Sequence, residues 1–117
     1  MKYIIDMIDD IRENIQNAHD YTLLAMLLKE ESRDNFQNAG EKVITSFSID
    51  YETKQLRLGF LDEYVTTNEL LECVNSLKME TMMYEIVVKV SNEHPSMNVI
   101  GFGENHEQKQ YIFFVMI

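Results

Sequence analysis

The sequence predicts an α+β domain. Two N-terminal helices, a β-hairpin, a third helix and a C-terminal three-stranded meander would form a five-stranded, mostly antiparallel sheet with the helices on one face. Three observations predict it: isoleucines at helical spacing near the N-terminus, β-branched and aromatic runs filling the last third, and a capping-box pattern between two strand regions. A chain of 117 residues suits one domain, 1–117, with one core.

The first helix is expected over residues 3–17. Ile4, Ile8, Ile11 and Ile15 share a face, with Met7 and Ala18 on its flank and Asp6, Asp9, Asp10 and Glu13 opposite. Acids crowding the first half also suit the positive end of the helix dipole. Charge opposite an apolar stripe is the ordinary wet side of a helix, so a paired-carboxylate site among these four acids is the lesser reading.

Asp20 is placed to cap a second helix from Tyr21 to Asp34. Leu23, Leu24, Met26, Leu27 and Leu28 make that helix apolar around most of its girth. Such a segment would be buried between the first helix and the sheet, or offered to another subunit. One continuous helix through His19 is the alternative. The segment ends in Glu30, Glu31 and Asp34, with Arg33 among them. Acids at the negative end of a helix dipole are locally unfavourable, which marks these three as candidate partner-binding residues.

Residues 35–40 read as a loop. The runs Val43–Ile49 and Gln55–Phe60 then alternate, with Val43, Phe47, Ile49, Leu56, Leu58 and Phe60 inward, around the polar turn Asp50–Lys54. Asp62 and Glu63 follow in a loop and form a second candidate contact patch. Thr66-Thr67-Asn68-Glu69 opens the third helix, whose buried stripe is Leu70, Cys73, Val74 and Leu77. A thiol on an apolar face, without nearby positive charge, is expected to be inert core.

Tyr84–Val90, Met97–Phe102 and Gln110–Ile117 are the meander strands. The last is apolar on both faces and belongs in the middle of the sheet. Short loops argue against long crossovers other than the one carrying the third helix.

No catalytic constellation emerges. His19, His94 and His106 lack a second ligand at diagnostic spacing. Ser46 and Ser48 have no nearby histidine, and Gly101-Phe102-Gly103 precedes a strand rather than the helix N-terminus that a phosphate cradle needs. The expectation is a protein that is not an enzyme and that carries no cofactor and no metal. One cysteine, no apolar run of membrane-spanning length and no signal-peptide pattern at the N-terminus predict a cytoplasmic location.

Charge narrows the partner. Twenty acidic residues against ten basic give a formal net charge of −10. This disfavours phosphate backbones and anionic membranes and favours a basic protein. The leading expectation is a non-enzymatic acidic inhibitor: an immunity protein or antitoxin that covers the positively charged active site of a toxin nuclease, through Glu30, Glu31, Asp34, Asp62 and Glu63. A phage-encoded inhibitor of a nucleic-acid-directed defence, acting by phosphate mimicry, fits equally. A secretion or assembly chaperone, dimeric and working through an apolar groove, would instead use the leucine-rich second helix and Met79, Met82 and Met83. Tyr51 and Tyr64, in or beside loops, are candidate interface anchors. A small enzyme using His106 with Glu104 or Glu107 ranks last.

Overall fold

The stretch from Thr22 to Ser32 is a β-strand, and that difference reorganises the predicted architecture. The computed structural model describes residues 1–15, 20–33, 35–61, 65–89 and 95–117. In order these form α1 (Ile4–Asn14), β1 (Thr22–Ser32), β2 (Asn35–Ile44), β3 (Ser46–Asp50), β4 (Gln55–Gly59) and α2 (Thr67–Asn75). A short 3₁₀ turn (Met79–Met83), β5 (Glu85–Val88), β6 (Met97–Asn105) and β7 (Gln110–Met116) complete the chain. Among the described residues there are two α-helices rather than three, and a seven-stranded mixed sheet, β2-β1-β7-β6-β5-β4-β3, rather than five strands.

Two predicted elements fail for one reason. The leucine-rich run is apolar on both sides, a pattern shared by a buried helix and a two-sided strand. Intrinsic propensity favours the helix, but pairing overrides it. β1 takes a parallel register with β7 from Thr22↔Gln110 to Leu28↔Met116 and an antiparallel one with β2. The supposed loop at 35–40 is drawn into β2 as its partner. β4 and β5 are also parallel, with α2 in their crossover.

The sheet is coiled on itself. β2 and β3 are its opposite edges, yet only Thr45 separates them, so the two edges meet at that corner. Thr45 N–H donates to the Gly59 carbonyl at 3.0 Å, and its hydroxyl bonds the Leu61 carbonyl. Ser46 sits against Gly59, where a Cβ would stand 2.9 Å from its Oγ. The bend splits the run read as one alternating strand: Ile44 is enclosed while Val43, expected inward, is 44% exposed. β6 makes the second turn, pairing with β5 through Met97 and Asn98 and with β7 from Val99 onward, with an irregularity between Val99 and Gly101.

The concave side holds the core. Ile4, Met7, Ile8 and Ile11 of α1 and Leu70 and Val74 of α2 pack against Leu23, Ala25, Leu56, Leu58, Ile86, Val88, Val99, Tyr111, Phe113 and Val115. Both helices thus serve one face. Cys73 is half-buried beside this stripe rather than enclosed in it. On the convex side Leu24, Met26 and Leu28 run beside Ile112, Phe114 and Met116, which accounts for strands apolar on both faces.

Candidate functional site

β1 outlasts its neighbour. Its pairing with β7 ends at Leu28↔Met116, and from Lys29 to Ser32 it has only β2 beside it. A bulge in the β1–β2 ladder lies between Leu27↔Gly40 and Leu28↔Asn38, where Gly40 takes a φ of +148° and its N–H donates to Asn38 Oδ1 at 2.9 Å. Beyond it the chain is a two-stranded ribbon closed by Asn35 Nδ2 donating to Ser32 Oγ at 3.1 Å. Every described residue from Lys29 to Ala39 is exposed.

Glu30 and Glu31 lie on this ribbon, not at a helix end, so the unfavourable dipole that singled them out does not exist. The register shifts between Glu30 and Ser32, so Glu31 sits at an irregularity with no ladder partner of its own. Glu30 stands across from Phe36, which is 49% exposed. Lys29 and Arg33 give the ribbon mixed charge. Asp34, Asp62 and Glu63 lie outside the described residues, as do Tyr64, His19 and His94.

A second surface gathers residues far apart in sequence. Met79 and Met83 are 86% and 62% exposed on the 3₁₀ turn, while Met82 packs against the core. Tyr51, 62% exposed, meets Tyr84 edge-on at 6.1 Å. The two rings flank a hollow of about 440 Å³ shared with Leu77, Glu80 and Thr81.

The polar centre of the fold escaped the sequence reading. Tyr111 of β7 is fully buried, and its hydroxyl donates to Asp10 Oδ2 on α1 at 2.9 Å. Asp10 Oδ1 also accepts from Asn14 Nδ2 at 3.1 Å. Glu104 of β6 is the ladder partner of Tyr111, so its side chain lies on the same face of the sheet, where it feels the Asp10 carboxyl group. Burial, reinforced by Asp10, pushes the Glu104 carboxyl up to about 7 and drives the Tyr111 hydroxyl above its ordinary range. The one available signal was a lone phenol in an apolar strand, because a buried tyrosine hydroxyl must find a partner. His106, paired in the sequence reading with Glu104 or Glu107, instead meets the Tyr21 hydroxyl through Nδ1 at 2.8 Å. The arrangement can share and hold protons; it presents no activated nucleophile.

Among the described residues no three or more His, Cys, Asp or Glu side chains converge on a metal position, and no helix is long and apolar enough to cross a membrane. Comparison of the chain with protein-family models, with curated proteins and with solved structures gives no match.

Proposed function

We propose that the chain is a non-enzymatic acidic binding protein, an inhibitor of the immunity or antitoxin class, and that its ribbon at residues 29–39 engages a basic protein partner such as a toxin nuclease. The supporting observation is the ribbon itself: a projection whose described residues are all exposed, with Phe36 opposite Glu30, on a chain of net charge −10. An exposed aromatic beside acids is the kind of anchor that inserts into a basic cleft, and the overall charge steers the encounter. Because the ribbon is of mixed charge, Phe36 supplies the local anchor and the rest of the chain the long-range field.

The test is affinity capture of proteins encoded by neighbouring genes at low and at high salt, followed by kinetics with the partner found. Stoichiometric capture of a basic toxic protein at low salt supports the reading. Glu30→Lys with Glu31→Lys should slow association, and Phe36→Ala should speed dissociation by one to two orders of magnitude, on the order of a hot-spot aromatic. Capture of no basic protein, or unchanged rates in both variants, removes this reading.

A second reading rests on the other surface. The exposed Met79 and Met83, on the 3₁₀ turn that contributes Glu80 and Thr81 to the Tyr51–Tyr84 hollow, suit an apolar or unfolded client, as a chaperone requires. That complex would persist at high salt, whereas the charge-steered one weakens.

A further inference from the structure

We propose that Asp10, Glu104 and Tyr111 form a proton-operated latch that fastens the C-terminal half of α1 to the β6–β7 hairpin and loosens as the medium turns alkaline. α1 is held to the sheet in two different ways along its length. At its start the ties are backbone bonds insensitive to pH: Ile4 N–H to the Tyr84 carbonyl at 3.0 Å, and Ile86 N–H to the Lys2 carbonyl at 2.8 Å. Towards its end the tie is the Asp10 carboxyl group, which accepts from Tyr111 and Asn14.

Glu104 is the ladder partner of Tyr111, whose hydroxyl bonds Asp10, so its carboxyl group shares that face and can join the group only as a donor, because two carboxylates cannot hydrogen-bond without a proton between them. The proton resides on Glu104, whose Oε1 is buried and makes no hydrogen bond. The groups facing the joint are Asp10 and Asn14 from α1, Glu104 from β6 and Tyr111 from β7. Among the described residues the ion pairs are Arg57–Asp50 and Lys109–Asp20, so no cation pairs with either carboxyl group there. Loss of the proton sets two negative charges against each other beside a fully buried ring, with no counter-charge to absorb them. Burial places that event at about pH 7, within the range a cell visits.

The test is hydrogen exchange on the full chain, corrected for the intrinsic pH dependence of exchange, with the amides of Ile4 and Ile86 as internal references. Amides of Ile11 and Asn14 should lose at least about tenfold of their protection between about pH 6 and about pH 8.5, since each unit above the midpoint reduces the protonated fraction about tenfold. In Glu104→Gln, which keeps a donor but cannot ionise, the same amides should show no such loss. Flat protection in the native chain, or an equal loss in the variant, overturns the latch. Carbon-13 titration of the Glu104 carboxyl in the native chain needs no variant. A midpoint near 7 supports the latch, and one near the ordinary carboxylate value overturns it.

Discussion

The ring of Phe114 lies directly against Gly103: a Cβ on that glycine would stand 2.9 Å from Phe114 Cε2. Phe114 thus uses the glycine as the floor of its seat on the convex face, and Gly101-Phe102-Gly103 is a packing device. At Gly101 the same Cβ would clear the ring at 3.8 Å, an ordinary contact. Gly103→Ala should therefore destabilise the protein by about 1–3 kcal/mol through overpacking. Gly101→Ala should be neutral, or stabilising by up to about 1 kcal/mol through the unfolded chain. Urea denaturation of both variants checks the contrast; equal effects would show that the ring is free to move.

Tyr21 and His106 bring the start of β1 to the β6–β7 turn through their 2.8 Å hydrogen bond. Tyr21→Phe should cost about 0.5–1.5 kcal/mol, and His106→Ala should add little once the hydroxyl is gone. A double-mutant cycle on unfolding free energies measures this. Additive losses would mean that the two side chains act separately.

The N-cap half of the capping box read at Thr66 is present, since its side chain accepts from Glu69 N–H. The bond is long, 3.4 Å, so Thr66→Ala should fall at the low end for an N-cap, about 0.5–1 kcal/mol. Thermal or urea unfolding reads this directly, and a loss well above that range would point to packing rather than capping.

Stability should depend on pH through two groups of opposite sign. Glu104 binds its proton more tightly when folded, so its contribution is complete below the ordinary value of 4.5 and is lost as pH rises through about 7. Asp50 is held below its ordinary value of 3.8, chiefly by the Thr53 N–H, with the Glu52 N–H and the Arg57 guanidinium adding and partial burial opposing. Its contribution is present above 3.8 and disappears as pH falls through the lower folded value. Unfolding free energy should therefore decline from about pH 5 to about pH 8, and Glu104→Gln should flatten that limb. Asp50→Asn should remove part of the acid limb. A neutral limb that survives Glu104→Gln unchanged would assign it to another group.

The sites were less legible than the elements, for a geometric reason. Asp10 and Tyr111 are far apart in sequence, and each alone looks ordinary: an acid on the wet side of a helix, an aromatic in an apolar strand. Only the docking of α1 on β7 turns them into a hydrogen-bonded pair. Glu30 and Glu31 were singled out by the wrong cause, a helix end that the chain does not form, and they emerge instead on an exposed ribbon.

Local features were legible in the residues alone. The isoleucine spacing of α1, the Thr66 cap of α2, the turn at Asp50–Lys54 and the succession β5-β6-β7 follow from periodicity and turn chemistry, which need no distant partner. Tertiary structure decided the state of Tyr21–Ser32, because a run apolar on both sides satisfies helix and strand alike until a neighbour supplies hydrogen bonds. It decided the coil of the sheet too. The corner at Thr45 and the bulge near Gly101 take their meaning from edges that meet in space, a relation that neither composition nor spacing encodes.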